Sequence, residues 1–88
     1  MRNRAGIILI EEKKLALIER HRAERHYFAF PGGGIDEGES PQEAAVREAE
    51  EELGILVEIV QKVAEVFFNG NTQHYFLVKN LAANLALA

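Results

Sequence analysis

The chemistry of this chain is concentrated in one segment, GGIDEGESPQEAAVREAEEELGI, residues 33–55. Residues 36–52 hold eight of the fourteen carboxylates and one base, Arg47, a net charge of −7. The remainder, nine bases against six acids, stands at +3, so the overall −4 hides a polarised molecule. Like charges three and four apart destabilise a helix by roughly 0.2–0.5 kcal/mol per pair. A sequence that stacks them must place them in water or supply cations. Glu48, Glu51 and Glu52 stand at i, i+3 and i+4, which brings their carboxylates out on one helical face. Converging carboxylates are hard oxygen ligands of the kind that hold Mg²⁺ or Mn²⁺. Such ions would neutralise the oxygens of a polyphosphate that this acidic surface otherwise repels, and would lower the pKa of a bound water. The bland alternative is a solvated acidic face. Arg47, one turn from both Glu43 and Glu51, can pair with either and hold the carboxylates in place; Glu50 points elsewhere, into solvent.

The helix that must carry these groups is signalled at both ends. Ser40 suits the N-cap, Pro41 the first helical position, and Glu43 completes a capping box. Gly54 follows the last periodic residue as a C-terminal stop. Between them Ala45, Val46, Ala49 and Leu53 recur at helical spacing as the buried stripe.

The same residues fit G-x5-E-x7-R-E-U-x-E-E-x-G-U, with U apolar, at Gly33, Glu39, Arg47, Glu48, Glu51, Glu52 and Gly54. The stretch resembles the Nudix box, the metal-binding signature of enzymes that hydrolyse nucleoside diphosphates linked to another group. Its first apolar slot holds Ala49, smaller than the usual aliphatic. The resemblance implies an α/β (α+β) fold, a Nudix-type α/β/α sandwich with a mixed sheet, abbreviated at its C-terminus. It implies Glu48, Glu51 and Glu52 as metal ligands, one of them doubling as general base, with Arg47 and Glu39 orienting the site. The carbonyl of Gly32 matches a position that often adds a backbone ligand, and Arg20 one that touches substrate phosphates in MutT-like members. Gly33 and Gly34 are expected at the substrate. The expected cofactor is Mg²⁺ or Mn²⁺ and the expected partner a nucleotide. No proline follows the box by some sixteen residues, where Gly70, Asn71 and Thr72 stand, and Tyr75 lies beyond the place of the tyrosine in dinucleoside polyphosphate hydrolases. Both absences tilt the substrate towards a MutT-like nucleoside triphosphate or a generic nucleotide.

Eighty-eight residues allow one domain, with 48% apolar and 27% charged residues as in globular proteins. With no cysteine, neither a disulfide framework nor a thiolate metal site can form, which is compatible with a reducing cytoplasm. The apolar stretch at residues 5–10 is too short for a signal peptide or a membrane span. The acidic balance argues against a duplex-DNA binder. Neither a serine-hydrolase elbow nor a P-loop is present.

Along the chain, residues 5–10 read as a buried strand, 11–14 as a polar turn and 15–19 as a second strand, forming a hairpin. Residues 21–26, HRAERH, read as a charged loop that makes the neighbourhood cationic, and 27–30 as a short strand. Residues 55–68 read as one long strand or two, 69–71 as a hairpin turn and 73–79 as the returning strand. Phe28, Phe30, Phe67, Phe68, Tyr75 and Phe76 are expected in the core rather than as base-stacking platforms.

Residues 80–88 form an uncharged, atypical apolar tail where Nudix domains usually continue into further strands and a second helix. A truncated or altered reading frame, an excised piece, or a small variant completed as a homo-oligomer would each account for it; an apolar tail and an unfinished sheet edge favour self-association. Two functions therefore stand side by side: an Mg²⁺-dependent pyrophosphohydrolase, and a catalytically feeble or inactive metal- and nucleotide-binding module. A Ca²⁺-binding structural domain lacks any EF-hand loop to support it.

Overall fold

The computed structural model describes residues 2–81. Alternation of buried and partly exposed residues in RAGIILIE makes Arg4–Glu11 a strand, β1, with Ala5, Ile7 and Leu9 turned to the core. Glu12 and Lys13 turn the chain at positive φ into β2 (Lys14–Leu15), which pairs antiparallel with the end of β1. The expected hairpin is thus present but short. The strand read at 15–19 is broken in two: Ala16 still bonds to the Leu9 carbonyl (2.9 Å), and the chain then leaves the sheet.

It enters β3 (Ile18–Arg22), which pairs antiparallel with β4 (Arg25–Ala29) in a separate two-stranded ribbon. The segment HRAERH is therefore not a loop. Only Ala23 and Glu24 turn, and His21, Arg22, Arg25 and His26 belong to strands. Their charge disguised them, because neither face of this ribbon is buried and no apolar alternation is required.

β5 (Gly32–Gly34) returns to pair antiparallel with the start of β1, along the same edge as β2, Ala5 facing Gly33. α1 (Pro41–Leu53) follows, capped as expected: Ser40 Oγ accepts the Glu43 N–H, and Glu43 accepts the Ser40 N–H. At the far end Gly54 adopts the left-handed conformation, φ 68°, that glycine takes without a Cβ penalty, and donates to the Glu50 carbonyl. β6 (Val57–Phe68) and β7 (Asn71–Asn80) form one long hairpin closed at Asn69 and Gly70, both at positive φ. β7 then runs parallel to β1, which makes the sheet mixed, in the order β2-β1-β7-β6 with β5 on β1. No helix is long and apolar enough to cross a membrane.

α1 packs Ala44, Ala45 and Ala49 onto Ala5, Ile7, Leu9, Val57, Phe76 and Val78. Small residues on the helix let its backbone approach the sheet closely; Val46 and Leu53, expected in the stripe, lie at the margin and Ala44 takes the centre. The aromatic expectation needs correction. Phe76 is buried and Tyr75 half-buried, but Phe28, Phe30, Phe67 and Phe68 are exposed, Phe67 by 75%. A 13-residue helix is about 20 Å long, whereas the 12 residues of β6 span roughly 40 Å, so the tip of the β6–β7 hairpin runs past the only helix among the described residues. Of the expected apolar tail, Asn80 ends β7 and Leu81 donates to the Leu56 carbonyl; residues 82–88 lie outside the described residues.

Candidate active site

Arg47 is the hub of the acidic segment. Its guanidinium makes a two-pronged contact with Glu39, Nε to Oε2 at 2.7 Å and Nη2 to Oε1 at 2.9 Å, and donates further to Glu51 (3.0 Å) and to the Gly34 carbonyl (2.9 Å). Planar arginine matches a carboxylate in this way, and such charge-assisted pairs are the strong ones. Asp36 and Glu48 stand at 3.5 Å from the same group. Glu39 also accepts the Asp36 N–H, so it ties the loop that follows β5 onto α1. The hydrogen bonds from Arg47, then that from the Asp36 backbone, hold the Glu39 carboxyl down at about 2. Arg47 is in turn raised, chiefly by Glu39. Of the two partners expected for Arg47, Glu51 is taken; Glu43 is occupied by the cap.

Glu48 sits one turn earlier than Glu52 and is largely buried, its side chain 13% exposed. Burial pushes its carboxyl up, Arg47 opposes this, and the neighbouring Glu51 and Glu52 push it further. β5 passes directly over it: a Cβ on Gly33 would overlap the Glu48 carboxylate, so only glycine leaves this group its place. Glu52 accepts the Gly32 N–H (2.7 Å) with one oxygen and Arg20 Nη2 (2.9 Å) with the other. Arg20 comes from β3, 32 residues away, and this ion pair spans the ribbon and the helix.

These groups line one open cleft of about 690 Å³. Glu48, Glu51 and Glu52 form the acidic wall, Gly32 and Gly33 the floor, and Arg4, Arg20 and Arg22 the basic wall. All three glutamates thus share a wall, but their oxygens do not gather to a single point, because Glu51 is drawn to Arg47 and Glu52 to Gly32 and Arg20. Glu50 is exposed, as expected. Gly34 spends its carbonyl on Arg47, and Gly32 shows its N–H in use. Arg4 and Tyr27 also line the cleft and were not singled out from the sequence. Arg4 is brought there by pairing with Gly34, a register that nothing local encodes.

His74, on the helix side of β7, is buried beside Glu65 (Nδ1 to Oε1 3.2 Å); burial above all, and then Lys62, lower its pKa. It lies outside the cleft walls.

Comparison with known proteins agrees with this architecture. The model of the NUDIX domain matches residues 1–85. The chain is 38% identical over 95 aligned positions to an RNA pyrophosphohydrolase of Sulfurovum sp. (strain NBC37-1), covering 88% of this chain and 60% of that protein. It therefore spans about three fifths of that curated relative's length. A NUDIX family hydrolase from Clostridium perfringens superposes with a TM-score of 0.78 at 17% identity, over 90% of this chain and 67% of that one. A MutT NUDIX hydrolase from Burkholderia pseudomallei gives 0.70 at 27% identity, over 90% and 65%. With its box in place on the loop and helix and the family model covering nearly all its length, the chain belongs to the Nudix family.

Proposed function

We propose that this chain is a pyrophosphohydrolase dependent on Mg²⁺ or Mn²⁺ that cleaves a diphosphate linkage attached to a nucleoside. The observation that carries the reading is the cleft itself, with three helix glutamates on one wall and three arginines on the other. Glu48, Glu51 and Glu52, with the carbonyl of Gly32, would hold the divalent ion. The donor set fits, since all are hard oxygens and Glu48 is a part-buried acid crowded by two others. Bound there, the ion supplies charge neutralisation for phosphate oxygens and a water of lowered pKa. Arg20, Arg22 and Arg4 bind phosphate oxygens from the opposite wall, where guanidinium geometry suits oxyanions. One of the glutamates takes a proton from the attacking water; the bond from phosphorus to the bridging oxygen breaks, and the nucleotide and second product separate. Glu39 and Arg47 are positioning residues, holding the loop and Glu51 in place.

Two substrate forms fit a cleft of this charge: a nucleoside triphosphate, towards which the absent proline and tyrosine tilt, and the 5′ end of an RNA, which the activity named for the Sulfurovum relative favours. A hydrolysis panel of nucleoside triphosphates and a 5′-triphosphorylated oligoribonucleotide, with and without Mg²⁺, tests the proposal. The expected result is metal-dependent release of phosphate or pyrophosphate that falls about 10²–10⁴-fold in Glu51→Gln. Metal uptake without turnover of any substrate would make the chain a binding module instead.

A further inference from the structure

The β3–β4 ribbon has two chemically different faces. Arg20, Arg22, Arg25 and Tyr27 share one, with Arg20 opposite Tyr27, Arg22 opposite Arg25, and the Arg25 guanidinium 5.5 Å from the Tyr27 ring centre. Three of these four line the cleft. Strand alternation places Glu19, His21, His26 and Phe28 on the other face, with His21 directly opposite His26 and Glu19 opposite Phe28. There the side chains converge. Nε2 of His26 is 2.5 Å and Nε2 of His21 3.6 Å from the same oxygen, Oε2 of Glu19. The imidazoles stack with centroids 4.5 Å apart and planes 3° from parallel. Glu19, His21 and His26 are the group of three potential metal ligands, among the described residues, whose donor atoms all lie within 4.8 Å of one another.

We propose that Glu19, His21 and His26 form a second metal site, for a divalent transition ion of the zinc class, distinct in its ligands from the glutamate wall of the cleft, whose rim His21 borders. Two imidazoles and one carboxylate are a borderline donor set that suits Zn²⁺, Co²⁺, Ni²⁺ or Cu²⁺, whereas the all-oxygen set of Glu48, Glu51 and Glu52 suits Mg²⁺ or Mn²⁺. Ligands at about 2.0–2.2 Å around a tetrahedral ion stand roughly 3.3 Å apart, and the two observed spacings bracket that value. Coordination requires both rings in the tautomer with the proton on Nδ1, and requires them to tilt out of their stack so that both lone pairs meet the ion. The side chains are 51–70% exposed, so these rotations meet little packing. The three arginines of the ribbon lie on its opposite face, which keeps their repulsion away from the incoming ion. Three protein ligands leave a fourth position for water. A bound ion cross-links the two strands beside a turn whose first residue, Ala23, sits at φ 52°, and so clips a ribbon that touches the other elements only marginally.

The test is a calorimetric titration of the whole chain with Zn²⁺ in saturating Mg²⁺, repeated with Co²⁺ by visible absorption. One equivalent with micromolar affinity is expected, with the ligand-field band of four-coordinate Co²⁺. His21→Ala and His26→Ala should each weaken uptake by more than about ten-fold, since even partners outside the ligand shell matter that much. Their metal-free melting temperatures should stay at the wild-type value, because neither ring is buried. Glu48→Gln and Glu51→Gln should leave the Zn²⁺ isotherm unchanged. No Zn²⁺ uptake, uptake indifferent to both histidine substitutions, or uptake lost only in the glutamate variants would each overturn the site.

Discussion

The two walls of the cleft are built by opposite means. The acidic wall is a capped helix laid on the sheet, with Arg47 joining Glu39, Glu51 and the Gly34 backbone into one network. The basic wall, Arg4 of β1 apart, is a two-stranded ribbon whose strands pair with each other and pack little against the rest. What connects the walls is the Arg20–Glu52 ion pair. Rigidity is therefore concentrated where acidic groups must be held against their mutual repulsion, and the partner wall is left to adapt to whatever enters. Local stability differs within a domain for such reasons: few buried apolar contacts mean low-energy opening.

The contrast can be broken most severely at Gly33. Gly33→Ala inserts a methyl group where the Glu48 carboxylate stands. The obstruction is the end of a side chain and not backbone, so the protein should still fold with little change in melting temperature while hydrolysis falls about 10²-fold or more through misplacement of Glu48. An equal collapse of stability and activity would show that Gly33 serves the fold alone. Next in size, Arg47→Ala strips the acidic wall of its hub. Losing its charge-assisted bonds costs about 1–2 kcal/mol and lowers the melting temperature by roughly 5–10 °C. Arg47→Lys should recover only part of this, because an ammonium group cannot reproduce the fork on Glu39.

Acid sharpens the same comparison. The Glu39 carboxyl is depressed from 4.5 to about 2, so its folded form binds a proton less readily than the unfolded chain. Its contribution is complete above about pH 4.5 and is lost as the pH falls towards 2. Melting curves of wild type and Glu39→Gln should therefore differ most at neutral pH and converge below pH 4.5; a gap constant with pH would deny the pairing its role. The smallest effect is expected at the ribbon. Arg20→Ala removes a part-buried pair worth about 1 kcal/mol, but it should accelerate hydrogen exchange throughout β3 and β4 while α1 is unaffected. Exchange rates unchanged in the ribbon would mean that something other than Arg20 secures it.

How much of this could be read beforehand follows the same division. The helix and its caps were legible because Ser40, Pro41, Glu43 and Gly54 act locally, and the box residues because their spacing is fixed by one helical turn and one loop. Arg47 was identified as an organiser, although its dominant partner, Glu39, stands eight residues away across the loop and was not named as one. The ribbon was illegible for a physical reason: strands with two solvated faces show no hydrophobic period, and His21, Arg22, Arg25 and His26 look like any charged loop. The exposed phenylalanines failed similarly. Hydrophobicity says that a side chain gains by burial, but Phe67 and Phe68 lie on a hairpin tip beyond the end of α1, a matter of relative lengths that composition does not carry. Arg4 reaches the cleft through a strand register and had no local signal at all.

The outer rim of β6 carries a last consequence. Its pairing with β7 slips twice, between Ile59 and Gln61 and again between Lys62 and Ala64. Each slip turns the backbone and spoils the even spacing of amide and carbonyl groups that an added strand would need. Among the described residues, the twelve-residue border is thereby cut into short pieces, the longest Ala64–Phe68, and offers an added strand fewer consecutive partners.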